Sequence, residues 1–212
     1  MGRGRAANYD DQRDMILARA AQLFARRGYV ATSMNEVATA CGLSKATLYH
    51  YYKDKYALLV SIAEGHVLEL RALVHETAEQ ALTDKQRLRE MILGIVGAYA
   101  NAQDAHRVLT EDVKFLEPAD RERVLDIERE VVAGFAAAVS SAYPDAGAAD
   151  LGKPLTMLLF GMVNWMFTWM KPDGPLTHDA IAPIVADLFA GGVPAVERQS
   201  TSAATMVAKR AR

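Results

Sequence analysis

The chain has 212 residues, 51% of them hydrophobic, and a formal net charge of −2, which is enough apolar content to bury one large core or two small ones. Its single cysteine, Cys41, excludes an intramolecular disulfide framework and fits a reducing cytoplasm. Charge is unevenly spread: residues 1–55 hold nine Lys and Arg against five Asp and Glu, the remainder fifteen against twenty-one, so a basic head precedes an acidic body, a distribution suited to presenting one end to phosphates.

Apolar residues recur at intervals of three and four almost throughout, and no alternating strand pattern interrupts them, which predicts an all-α protein. The start, MGRGRAANYDD, has no apolar run after its arginines and reads as lacking a secretory signal. Arg3 and Arg5 read as a disordered beginning, with an arm reaching phosphates or a minor groove as the alternative. Ile16, Ala20, Leu23 and Phe24 give the first helix one buried face. Ser33 stands three residues before Glu36, the spacing of a capping box, and predicts a helix from Met34 to Cys41. Gly42 can take the left-handed conformation that closes it, and Ser44 caps a further helix, Lys45 to Tyr51.

Two helices this short must pack on each other to persist. Val37, Ala38, Leu43 and Leu48 supply that packing, and Cys41 reads as a further small packing residue. Lys45, Thr47, Tyr49, His50 and Tyr51 are left facing outward, with Lys53 and Lys55 at the exit. A narrow helix with base-edge donors and phosphate contacts is what a major groove accepts; the alternative is an ordinary helical hairpin with a solvated face.

A long fourth helix follows, buried through Leu59, Ile62, Ala63, Val67, Leu70 and Val74. Further helices are predicted at about 84–102, 106–116, 119–142, 151–170 and 178–190, with Pro118, Pro144, Pro172 and Pro175 near their boundaries. After Gly191 and Gly192 the chain turns Ala-, Ser- and Thr-rich, so 193–212 reads as a mobile tail. The run from Leu155 to Met170 is the most hydrophobic, yet it spans only roughly 24 Å and carries Asn164 at its middle, so a buried helix is preferred to a membrane span. Being apolar on every side, it needs cover from its own domain and from a second subunit. Tyr99, Phe115, Met162, Trp165, Met166, Phe167 and Trp169 are candidates to line an adaptable apolar cavity, with His66 and Asn164 as its polar fixings; plain core and dimer packing is the alternative. His66, His75 and His106 show no metal-ligand spacing, no cofactor is implied, and no nucleophile elbow, phosphate-cradling glycine loop or zinc motif points to an enzyme.

The run TLYHYYKDKYALL, Thr47 to Leu59, together with ILARAAQLFARRGYVATSM, Ile16 to Met34, resembles the N-terminal domain of the tetracycline-repressor (TetR) family of bacterial transcription regulators. The resemblance implies a three-helix helix-turn-helix DNA-binding domain at 1–55 and a helical ligand-binding and dimerisation domain at 56–192. It places Lys45, Ala46, Thr47, Tyr49, His50 and Tyr51 in the major groove and Thr32, Ser33 and Lys55 at the DNA backbone. It further implies a cytoplasmic homodimer formed through about 151–170 and 178–190, double-stranded operator DNA and a small-molecule effector as partners, and no enzymatic activity. The run FGMVNWMFTWMKPDGPLT, Phe160 to Thr177, is similar to a branch of the family that responds to acyl-coenzyme A thioesters, which would make an acyl-CoA the effector, with Arg107, Lys114, Arg121 or Arg123 meeting its phosphates. The competing readings are an architectural DNA-binding protein without effector and a small acyl-transfer or hydrolytic enzyme.

Overall fold

The computed structural model describes residues 3–170 and 174–210, with side chains for 9–166, 168–170 and 174–196. Among the described residues there are helices and no strand. In chain order they are α1 (Arg3–Arg27), α2 (Met34–Ala40), α3 (Lys45–Tyr51), α4 (Lys55–Ala78), α5 (Asp84–Asn101), α6 (Gln103–Asp112), a 3₁₀ turn (Val113–Phe115), α7 (Pro118–Ala142), α8 (Pro144–Ala148), α9 (Gly152–Asn164), α10 (Met166–Trp169) and α11 (His178–Arg210).

The chain divides into two compact units, residues 1–69 with 102–127 and residues 70–101 with 128–212. The first core gathers Ile16, Phe24, Val37, Leu48, Leu58 and Leu59, and α6 and the start of α7 add Val108, Leu109 and Val124. A division at residue 55 would cut through this unit, because α4 from Leu58 to Val67 and α6, packed on α1, close the core under the two short helices. The second core is built by α5, α7, α9 and α11 around Ile95, Phe135, Leu159, Phe160 and Phe189, with the Phe135 and Phe160 rings edge to face at 5.2 Å. Arg89 on α5 pairs with Asp187 on α11 in the same unit.

Besides the unexpected α8 and the earlier start of α6, the chain departs from the expected elements in three places. Helix α1 starts at Arg3, well before its first core residue. The run 151–170 breaks at Trp165 into α9 and α10. Helix α11 runs through Gly191 and Gly192 to Arg210, past the expected end at 190. Neither glycine adopts a positive φ, so neither ends the helix as Gly28 and Gly42 do, and Val193 just beyond them is a core residue. Pro194 cannot donate to the carbonyl four residues back; that carbonyl, of Ala190, accepts a hydrogen bond from the Tyr143 hydroxyl at 3.2 Å.

Candidate nucleic-acid interface and effector region

Three local devices build the α2–α3 pair. At the start of α2 the Ser33 amide donates to the Glu36 carboxylate at 2.8 Å while the Ser33 hydroxyl accepts from the Glu36 amide at 3.3 Å. The Ser33 amide and hydroxyl, with Arg27 at 2.6 Å, hold the Glu36 carboxyl below its usual range. At the end of α2, Gly42 has φ +67, Leu43 N–H donates to Ala38 C=O at 2.9 Å and Gly42 N–H to Thr39 C=O at 3.1 Å, the paired bonds of a Schellman closure. Ser44 then caps α3 by accepting from the Thr47 amide at 3.0 Å.

Helix α3 is seven residues long and gains its stability from packing. Leu48 is its fully buried anchor, worth about 2 kcal/mol by area. That anchor turns Lys45, Ala46, Thr47, Tyr49 and His50 to the exterior and leaves Tyr51 half-buried, with Lys53 exposed just beyond. The Lys45 ammonium lies 5.8 Å from the Tyr49 ring, and the Thr47 hydroxyl shares a 2.7 Å hydrogen bond with Ser44. The surface therefore combines cationic, hydroxyl and imidazole groups on one exposed helix.

Two residues expected at the DNA backbone have other partners. Thr32 is buried, and its hydroxyl donates to the Gly28 carbonyl at 3.0 Å inside the α1–α2 turn. The Lys55 ammonium donates to the carbonyls of Tyr29 (2.7 Å), Val30 (3.1 Å) and Thr32 (2.7 Å), and sits 4.5 Å from the Tyr29 ring centre. An ammonium has three N–H donors, and in this structure all three are used on this turn, so Lys55 clamps the approach to α2. Ser33 is exposed, but its hydroxyl serves the cap.

The nine residues singled out as an effector lining are divided between the two units. His66 and Phe115 belong to the first unit. His66 is buried with its Nε2 3.3 Å from Nδ1 of His106, and burial, aided by that second ring, pushes its pKa down to about 4. Phe115 is exposed and lies 5.5 Å from the Tyr29 ring. In the second unit Tyr99 on α5 donates to Asn164 Oδ1 on α9 at 2.8 Å, and burial drives the phenol's pKa upward, with the Glu128 carboxylate adding to the shift. Met166 is buried and Met162 half-buried, whereas Trp165 and Trp169 are 64% and 51% exposed; the Phe167 side chain lies outside the described residues. Tyr99, Asn164 and the two methionines thus remain as an interior group, and the tryptophans face outward.

Sequence reading missed a cleft of about 400 Å³ in the second unit, lined by Val74 and His75 of α4, Arg87 and Met91 of α5, and Gly134 and Ser141 of α7. A Cβ on Gly134 would stand 2.4 Å from Val74 Cγ1, so any larger residue would force the Val74 side chain to shift where α7 meets α4 beside this cleft. Arg87 holds its polar end through Asp84 at 3.1 Å and the Leu82 carbonyl at 3.2 Å. Of the cations expected to meet coenzyme phosphates, Arg107 is paired with Glu111 and Arg123 with Glu64 and Asp120, all in the first unit.

Exposed large apolar residues concentrate on α9–α10 (Met157, Leu158, Trp165, Trp169) and α11 (Ile184, Leu188). The stretch His178–Val196 is long and apolar enough to cross a bilayer by composition, at mean hydropathy 1.5, yet Ala182, Val185, Ala186, Phe189 and Val193 on it are core residues. Among the described residues no three His, Cys, Asp or Glu side chains are grouped to hold a metal ion.

Residues 16–62 match the family described as bacterial regulatory proteins, tetR family, and residues 81–193 match the tetracyclin repressor-like C-terminal domain. The chain belongs to the TetR family. A TetR-family regulator of known structure from Bordetella parapertussis 12822 is 35% identical, with 84% of this chain and 93% of that one aligned at a TM-score of 0.77. AibR, crystallised in complex with isovaleryl coenzyme A and operator DNA, is 26% identical over 84% of this chain and 97% of its own, with a TM-score of 0.70. The HTH-type transcriptional activator FasR of Mycolicibacterium smegmatis is 28% identical over 116 residues, 55% of this chain and 53% of FasR, so the chain spans about half the length of that relative. The TetR-family chain is a DNA-binding transcriptional regulator and not an enzyme, in keeping with its relatives.

Proposed function

We propose that this regulator is a homodimeric, effector-released repressor that reads a palindromic operator through the exposed face of α3. The observation that carries the proposal is the inversion of α3: Leu48 is fully buried while Lys45, Ala46, Thr47, Tyr49 and His50 are exposed beside it. One such short helix offers few base contacts, so tight binding calls for two copies on a twofold axis, with half-sites one helical turn, about 34 Å, apart. The exposed apolar residues of α9–α10 and α11 favour that region as the dimer surface. Lys53 and the basic balance of residues 1–55 favour phosphate association without specifying sequence.

The effector reading is an apolar acyl group held in the second unit, favoured by the interior group of Tyr99, Asn164, Met162 and Met166 and by the cleft beside Gly134. The AibR complex favours a short acyl-CoA. An effector lowers operator occupancy only by binding the DNA-incompetent conformation more tightly. The test is fluorescence anisotropy of a labelled duplex from the promoter nearest the protein's own gene, titrated with protein and then with isovaleryl-CoA, longer acyl-CoA thioesters and the corresponding free acids. Release by a thioester and not by its acid supports the reading; equal operator affinity at saturating concentrations of the whole panel refutes the acyl-CoA effector. Higher transcription from that promoter with the protein bound than without it would refute the repressor assignment.

A further inference from the structure

We infer that Tyr9 on α1 is a positioning residue for operator readout, setting the orientation of the two aromatic side chains at the end of α3. The inference rests on the reading of α3 as the DNA-facing helix. Tyr9 is 39% exposed, and its ring stacks on Tyr51 at 4.8 Å with 27° between the planes. The same ring meets His50 edge-on at 6.5 Å and 86°, while His50 meets Tyr51 at 5.6 Å and 81°. The three rings form a closed set in which each touches the other two. One turn further along α1, the Arg13 guanidinium lies 5.7 Å over the Tyr52 ring. Residues four apart share a helix face, so one side of α1 lies along the end of α3.

Charge decides between direct contact and positioning. Asp10 and Asp11, both exposed, follow Tyr9, and Asp14 is one turn on, while the one cation among them, Arg13, lies over the Tyr52 ring, so three carboxylates against one arginine make this part of α1 a poor phosphate contact. Packing decides between positioning and simple bracing. The helix is anchored downstream by Ile16, Ala20 and Phe24, all essentially inaccessible, whereas Tyr9 touches the exposed end of α3. What Tyr9 contributes is a fixed ring against which His50 and Tyr51 take one orientation. An imidazole that reads a base edge must hold its direction, because hydrogen bonds weaken steeply with misalignment.

The experiment measures competition binding of full-length protein to its own operator and to a set of duplexes with single base-pair changes, comparing wild type with Tyr9→Ala, Tyr9→Phe, His50→Ala and Tyr51→Phe. His50→Ala identifies which operator positions that side chain discriminates. Tyr9→Ala is expected to reduce discrimination at those positions by about two- to tenfold, the worth of an aromatic pair, while leaving discrimination elsewhere unchanged and lowering the thermal midpoint by no more than a few degrees. Tyr9→Phe, which keeps the ring, is expected to restore the wild-type profile. A uniform loss of affinity over all duplexes, or an unchanged profile in Tyr9→Ala, overturns the inference while leaving the interface reading intact. Wild-type profiles in both His50→Ala and Tyr51→Phe would remove that interface reading and the inference with it.

Discussion

Replacing Lys55 with methionine keeps the aliphatic stem and deletes the ammonium, and the structure makes the outcome diagnostic. Wild-type Lys55 donates to the carbonyls of Tyr29, Val30 and Thr32 and faces the Tyr29 ring. A hydrogen bond from a charged donor is worth about 1.5–3 kcal/mol net. Three such bonds share one charge, whose desolvation is met once, and half-burial leaves water able to satisfy the orphaned carbonyls. The expected loss is therefore about 2–4 kcal/mol, not three times the single-bond value. For a chain of this size that lowers the thermal midpoint by roughly 5–15 °C. Circular dichroism melts provide the stability readout, and operator affinity from low to moderate salt provides the electrostatic one. Below its melting temperature Lys55→Met should retain the wild-type slope of log affinity against log salt. A phosphate contact would behave oppositely, leaving the midpoint unchanged and reducing the slope by about one; that result would refute the clamp.

Two further perturbations probe other parts of the structure. Burial places the folded pKa of His66 at about 4, below its ordinary 6.5, so the unfolded chain binds a proton that the folded chain refuses. The stability attributable to His66 is full above pH 6.5, declines as pH falls toward 4 and changes no further below that, a total on the order of 3 kcal/mol; His66→Leu should flatten that part of a urea-denaturation pH profile, and an unchanged profile would contradict the buried neutral imidazole. Leu188 is 63% exposed on α11, and Leu188→Glu should shift the protein from dimer to monomer in sedimentation velocity and abolish tight operator binding without lowering helical content. A wild-type sedimentation profile would move the dimer interface elsewhere.

The α2–α3 pair was legible because its signals are local: Ser33 and Glu36 are three residues apart, Gly42 and Ser44 flank the turn, and Leu48 marks the buried face. The carbonyl partners of Lys55 were not legible because they lie 23 to 26 residues upstream on the main chain, and carbonyls carry no sequence signature. The same limit applies to α11, where Gly191 and Gly192 read as a stop while the Tyr143 hydroxyl, 47 residues before Ala190, bonds the Ala190 carbonyl that Pro194 leaves without its helical donor. Effector residues were least legible: tryptophan and methionine suit a cavity, a core and a subunit interface alike. Trp165 faces outward and Met166 inward although they adjoin, because α9 ends at Asn164 and the chain turns there. Tyr9 carried no signal, since it precedes the first apolar position of α1 and gains its partners only when α3 packs alongside.

The most direct test of the central claim is binding of wild type and Lys45→Ala to a randomised palindromic duplex library, with the selected sequences compared at constant salt. Lys45 is exposed at the start of α3, and its loss should change which bases are selected at matching positions of the two half-sites while the protein remains folded. Selection of the same sequences by both proteins would contradict the assignment of α3 as the reading helix.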